Sequence, residues 1–143
     1  MRYCFMKKGD KDYQRLVHIV KYCEKLRAIH GKMGSYDVFV AKDNYEKIDV
    51  SAFYIGQIGE LSHGLTEEFQ NENNDIPWKQ IVDMRNALVH RYGTRDTRII
   101  WDVIEEDIPV LNRKCRGLLK AQNAKIDDQI KFELEQETNI LLE

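Results

Sequence analysis

The stretch RNALVHRY, Arg85 to Tyr92, sets an arginine, an amide, a histidine and a phenol around an apolar middle. Those types suit the cleavage of RNA without a metal. The reaction needs a base to take the 2′-hydroxyl proton, an acid for the leaving oxygen and positive charge on the crowded phosphate. His90 titrates near neutral pH, so it can serve as acid or base. Arg85 can clamp a phosphate with paired N–H donors that stay charged. Asn86 can orient the histidine or donate to a phosphate oxygen. One chain offers one such histidine. Two chains sharing a cleft would offer two, which is a physical reason to expect a homodimer. Residues 85–98 carry four arginines (Arg85, Arg91, Arg95, Arg98) against Asp96 alone. That cluster suits a phosphate-bearing partner.

Whether these side chains meet depends on the helix that carries them. Ile81, Met84, Leu88 and, at the edge, Val89 form its apolar stripe. Arg85 borders the stripe, four residues after Ile81. In an unbroken helix His90 would lie ~140° round from Arg85, at ~100° per residue. A shared site therefore requires the helix to end near Val89 and the chain to turn, as Gly93 permits. Tyr92, seven residues after Arg85, would share its face if the helix continued. Spacing alone fits a site and a chance arrangement equally well. A lone histidine after an apolar run is more often structural.

The rest of the chain has the pattern of an all-α protein. Two prolines and eight glycines interrupt its 143 residues, and alternating strand patterns are scarce. Residues 12–30 place Tyr13, Leu16, Val17, Val20 and Cys23 on one stripe. Asp10 or Asp12 can cap its start, and Gly31 follows its end. A turn and a short helical piece around Tyr36–Val40 come next. Over 44–72, Val50, Phe53, Tyr54, Ile58, Leu61 and Leu65 recur at helical spacing. Gly56, Gly59 and Gly64 each cost roughly 1 kcal/mol against Ala in a helix. Either their backbone approaches another helix or a second chain closely, or the helix breaks at Gly64. The tripeptide DIP occurs at 75–77 and again at 107–109. In each, the Asp can cap and the Pro can occupy the first turn. Helices should then start near 76 and 108, the first running to about Val89 or Tyr92. A shorter helix, RIIWDVIEE, should precede the second. In the tail, Ile126, Ile130, Phe132 and Leu134 keep helical spacing amid high acidity, as in a last helix or a partly ordered extension.

Composition sets the outer bounds. A chain of 143 residues points to one domain. With 43% hydrophobic and 32% charged residues it has a soluble globular profile. No run approaches the ~18 apolar residues of a membrane span, and the charged start MRYCFMKKGDKDY lacks a signal-peptide core. Cys4, Cys23 and Cys115 are odd in number and widely spaced, which fits reduced thiols in a cytoplasm. A Gly-rich phosphate loop, CxxC and HExxH are all missing, which argues against enzymes built on them. The net charge of −2 hides an asymmetry. Residues 2–32 carry nine basic against three acidic side chains, residues 33–78 two against nine, and the last 22 residues two against six. The terminal blocks are expected to be solvated helix faces.

RNALVHRY resembles the Arg-x4-His-x-Tyr signature of the HepT-like toxins, within the HEPN superfamily of helical ribonucleases. IPWKQIVDMRNALVHRYG is similar to that family's central helix and motif. IGQIGEL (55–61) resembles its upstream helix with a Gly-Glu pair, and IIWDVIEEDIPVL (99–111) its downstream Trp and Asp-x-Pro segment. The bare Arg-x4-His pattern is common by chance, whereas three blocks in order at the family's spacing are specific. The resemblance covers roughly residues 10–121 and leaves the tail from 122 unmatched. Arg91 stands where the family often has a small residue, which bears on how the turn after His90 is made.

The resemblance implies an all-α, HEPN-like bundle of four to five helices over 1–121; the unmatched residues 122–143 are expected to be an acidic, helical C-terminal extension. It implies a homodimer whose motifs face each other across a cleft. The implied activity is that of an endoribonuclease toxin that needs neither metal nor cofactor. The implied partner is an MntA-like minimal nucleotidyltransferase, an antitoxin that transfers AMP to the motif tyrosine. Carried over by position, Arg85 and His90 are catalytic, Asn86 assists and Tyr92 accepts AMP. Arg91, Arg95 and Arg98 are candidate substrate contacts. Glu60 either holds Arg85 or His90 in place or is an exposed helix charge. Trp78 and Trp101 are expected to be core anchors rather than base-stacking residues, and His18, His30 and His63 have no assigned role. Two other functions stay open: a non-catalytic helical partner of a nucleotidyltransferase, and a helical dimer whose arginines bind nucleic acid without cutting it. The intact set of Arg85, Asn86, His90 and Tyr92 favours the enzyme, because a pure binding partner has no need of all four.

Overall fold

A computed structural model describes residues 10–88, 96–122, 130–137 and 139. Among these there are seven named helices and no strand: α1 (Asp10–Met33), α2 (Tyr36–Phe39), α3 (Tyr45–His63), α4 (Glu67–Glu72), α5 (Trp78–Ala87), α6 (Thr97–Asp102) and α7 (Ile108–Gln122). A π-helical turn, Val103–Asp107, joins α6 to α7 without a break. The main rods are therefore four: α1, α3, α5 and the α6–α7 rod. The all-α bundle expected from the sequence is present.

The core follows the helical period. On α1, Leu16, Ile19, Val20, Cys23, Leu26 and Ile29 are fully buried. They lie in one cluster with Ile55 and Ile58 of α3 and with Ile108, Cys115 and Leu119 of α7. α3 packs against both α1 and α5, while α7 packs against α1. Residues 130–137 are also helical, with Ile130 and Leu134 buried. Lys21 lies 2.6 Å from Glu133 and Lys25 lies 2.9 Å from Glu137, so this acidic segment docks on the basic α1. Of the two states the tail's sequence allowed, these residues take the helix; Ile126 lies outside the described residues. No described helix is long and apolar enough to cross a membrane.

The helix ends depart from the sequence pattern, each for a tertiary reason. α1 runs through Gly31 to Met33. Its stop is Gly34, whose φ of +77° is the left-handed geometry glycine adopts without penalty. Asp12 does not cap α1. It is buried, and its two carboxylate oxygens accept from the Thr66 amide (2.9 Å) and hydroxyl (2.7 Å). Thr66 in turn caps α4, accepting from the Phe69 amide at 3.2 Å. The helix over 44–72 does break at Gly64, and Gly59 makes a close approach, so both alternatives for the glycines occur in one segment.

Neither Asp of the two DIP tripeptides caps a helix. Pro77 stands at the N-cap position and α5 starts at Trp78, while the Asp75 carbonyl accepts from Lys114 Nζ at 2.8 Å. The gap expected before Ile108 is absent. Pro109 cannot donate a backbone hydrogen bond, and its ring would crowd the carbonyl one turn back in an α-helix. Here the Ile108 amide instead reaches the Val103 carbonyl, widening that turn by one residue, and the rod continues through Pro109.

Candidate active site

α5 is anchored at its start. Trp78 is buried, and its indole N–H donates to the Asn73 carbonyl at 3.1 Å. Ile81 and Leu88 hold the inner face. Arg85, one turn after Ile81, leaves the helix at the edge of that face. Its side chain is 29% exposed, and Nη1 donates to Oε1 of Glu60 on α3. Glu60 is 58% exposed. A Cβ on Gly59 would stand 3.3 Å from Arg85 Cβ and 3.5 Å from the Ile81 carbonyl oxygen. Gly59 thus lets α3 pass close to α5 at the level of Arg85, and the following residue, Glu60, meets the guanidinium. A surface ion pair of this kind adds only ~0–1 kcal/mol to stability. Its consequence is orientation.

α5 ends at Ala87, short of the Val89 or Tyr92 expected, with the buried Leu88 as its cap. The Asp96 amide donates back to the Leu88 carbonyl at 3.3 Å. Residues 89–95 begin and end at this point. They lie outside the described residues, and with them His90, Arg91, Tyr92 and Arg95; the side chain of Asn86, whose backbone belongs to α5, does too. After this segment the Asp96 side chain caps α6, accepting from the Ile99 amide at 3.1 Å. Arg98 lies on α6, exposed. Its Nε is 3.2 Å from Asp102, and its guanidinium lies 4.6 Å from the centre of the Tyr36 ring. The Tyr36 hydroxyl lies 3.0 Å from Thr97 Oγ1. Sequence reasoning gave Tyr36 no part here, because nothing in its local spacing points to a distant arginine.

The aromatic anchors behave as expected. Trp78 and Trp101 are both buried, which leaves no face for a base. His30 stacks on Trp101 at 4.8 Å, with its Nε2 3.5 Å from Glu105. His18 titrates below the ordinary histidine value, chiefly through burial and then through Lys21, with Glu133 and Glu137 pulling the other way. Among the described residues no group of three or more His, Cys, Asp or Glu could hold a metal ion.

An arginine held at the end of a central helix, directly before the His and Tyr of the motif, invites comparison with known proteins. Residues 19–118 match the family described as "Ribonuclease HepT-like". This chain belongs to the HepT-like ribonucleases. The match runs from α1 into α7 and stops before the helix at 130–137. Membership carries the enzyme class with it, a ribonuclease. The chain is 34% identical over 108 residues to the "Putative RNase TTE0752" of Caldanaerobacter subterraneus subsp. tengcongensis, covering 75% of this chain and 93% of that protein. It is 30% identical over 115 residues to the "Probable ribonuclease HepT" of Thermococcus cleftensis, covering 80% of this chain and all of that protein. No solved structure gives a significant match.

Proposed function

We propose that this HepT-like ribonuclease is the toxin of a toxin–antitoxin pair, a cytoplasmic endoribonuclease that cuts RNA without a metal and works as a homodimer. The observation that carries the reading is Arg85, a partly exposed guanidinium at the end of α5, turned by Glu60. Two residues separate it in the chain from the closing point at Leu88. His90 follows Leu88 by two more in the sequence.

In this reading Arg85 clamps the scissile phosphate and Glu60 positions it. His90 is the acid or base, Asn86 orients it, and Arg91, Arg95 and Arg98 draw in the RNA backbone. A base removes the 2′-hydroxyl proton, and the 2′-oxygen attacks phosphorus. The P–O5′ bond breaks, and the 5′-oxygen takes a proton from the acid. The products are a 2′,3′-cyclic phosphate and a 5′-hydroxyl. One motif histidine per chain, His90, makes the second protomer the natural source of the other proton-transfer group. The outer face of α3 supports such a pairing. Tyr45 (66% exposed) and Phe53 (54% exposed) lie on it, Gly56 has open space above it, and the same stripe leads to Glu60. Large aromatics left in water mark contact surfaces. The antitoxin would be an MntA-like nucleotidyltransferase that transfers AMP to Tyr92. The added phosphodiester anion would compete for Arg85, and its nucleotide would fill the substrate's place.

The deciding experiment incubates purified protein with RNA in the presence and absence of EDTA. Cleavage should persist in EDTA and leave cyclic-phosphate ends. Arg85→Ala and His90→Ala should each abolish it while keeping the helical circular dichroism. Loss of cleavage in EDTA, or wild-type cleavage by either variant, overturns the mechanism. Co-expression with the nucleotidyltransferase should add AMP to Tyr92, seen by peptide mass spectrometry, and AMP only on another residue overturns that part.

A further inference from the structure

α5 leans on α3, while α7 leans on α1. Between α5 and α7 lies a cleft of about 310 Å³. Ile81 and Met84 form its α5 wall, and Ile108 and Leu111 its α7 wall. Gln80 and Asp107 bring a side-chain amide and a carboxyl group to the same cleft. Lys114 also borders it, but its ammonium is tied to the Asp75 carbonyl at 2.8 Å. The cleft is at the small end of ligand sites, which run from ~300 to ~1,000 Å³.

Its position matters as much as its lining. Ile81 and Arg85 are one helical turn apart, so their Cβ atoms stand roughly 5–6 Å from each other. Met84 is the residue directly before Arg85. One wall of the cleft is therefore the same turn of α5 that presents the phosphate-clamping side chain.

We propose that this cleft receives one nucleobase of the RNA, the base adjoining the phosphate held on Arg85. The inference rests on the ribonuclease reading of the same helix and adds a specificity subsite to it. RNA sequence is read mainly on unstacked bases, whose faces need apolar or aromatic walls and whose edges need hydrogen-bond partners. Met84 and Val110 supply the open apolar walls, over a floor of the buried Ile81, Ile108 and Leu111. The Gln80 amide offers both a donor and an acceptor, and an ionised Asp107 offers acceptors. A carboxylate at the edge selects an exocyclic amine, so the cleft should favour adenine, cytosine or guanine over uracil. Partial burial, and then Asp102, push the Asp107 carboxyl above its ordinary value, as expected for a group drawn into a cleft wall.

The test uses short oligoribonucleotides that differ only in the base beside a fixed cleavage site. Wild-type protein should cut next to cytosine roughly tenfold faster in kcat/KM than next to uracil, the order of one net hydrogen bond. Asp107→Asn should flatten that preference. Met84→Trp, which fills the cleft, should raise KM about tenfold. Asp107→Asn is an exposed change, so the test stays readable if Met84→Trp fails to fold. A photo-activatable base at the same position should cross-link to the peptide containing Met84 or to the one containing Asp107. Active wild-type protein whose base preference survives Asp107→Asn, or adducts that map elsewhere, overturns the subsite and leaves the ribonuclease reading standing. Protein that cuts no RNA at all overturns both.

Discussion

A guanidinium serves a phosphate only if it is held in place and still open to solvent, and Arg85 meets both conditions through two neighbours on α3. Glu60 fixes its direction. Gly59 leaves the space, because a methyl group there would stand 3.3 Å from Arg85 Cβ. The two terms in Gly59→Ala oppose each other. Alanine gains up to ~1 kcal/mol of helix propensity, and the crowded contact returns part of it. The melting temperature should therefore move by only a few degrees. With Arg85 as the proposed phosphate clamp, cleavage should suffer more, since small misplacements of such a group cost on the order of 10- to 100-fold. Kinetics on folded Gly59→Ala protein decide it. Full kcat/KM would mean that Gly59 serves packing alone. Spacing alone did not single out Arg85; its chemistry and the resemblance of RNALVHRY to the family motif did, and for Glu60 an ion pair with Arg85 was one of two options. The Tyr36–Arg98 stack was not legible, because a ring contact between distant positions leaves no local pattern.

The helices themselves were legible because burial repeats every three or four residues, as on α1 from Leu16 to Ile29. Their ends were not, because caps answer to tertiary partners. Asp12 has the type and place of an N-cap, yet it is spent on Thr66, far along the chain. Asp107 has the same credentials before Pro109, yet it sits inside a continuous rod. Its neighbourhood has a measurable sign. A carboxyl raised in the folded protein holds its proton more tightly than in the unfolded chain. Its ionisation therefore removes stability as pH rises from the ordinary carboxylate range through the raised value. Asp107 is raised by partial burial first and Asp102 second. Asp107→Asn should gain stability relative to wild type as pH goes from about 4 to about 7, visible as a widening gap in melting temperature. A constant gap would mean that the carboxyl is not perturbed. On the same rod, Gly117 is exposed and an added Cβ would meet nothing within 4 Å. Gly117→Ala should stabilise by about 0.5–1 kcal/mol in a urea titration, the backbone-entropy difference alone. Destabilisation would contradict an open helical site.

At the scale of the molecule, the uneven charge of the sequence becomes a contact. The basic α1 and the acidic segment 130–137 were expected to be solvated faces, but Lys21 and Lys25 pair with Glu133 and Glu137 while Ile130 and Leu134 are buried. This segment lies beyond the region that matches the family. Within the bundle, Cys23 of α1 and Cys115 of α7 are free and buried. Burial, then Asp75, pushes the Cys115 thiol up to about 12, so its thiolate is scarce at neutral pH. Alkylation of Cys115 at pH 8 should proceed only as fast as the α1–α7 interface opens; rapid labelling of folded protein would rule that out. The tail carries its own reporter in His18. Burial and Lys21 lower the His18 pKa, and Glu133 and Glu137 oppose them. A histidine lowered on folding takes up protons first in the unfolded chain. Stability is therefore complete above the ordinary histidine value and is lost as pH falls from there through the folded value. Removing the two carboxylates as Glu133→Gln and Glu137→Gln should lower the His18 pKa further and deepen the loss of stability on the acid side. An NMR titration of the His18 ring, with melting curves at pH 5.5 and 7.5, measures both. An unchanged His18 titration would mean that the acidic helix does not rest on α1 in solution.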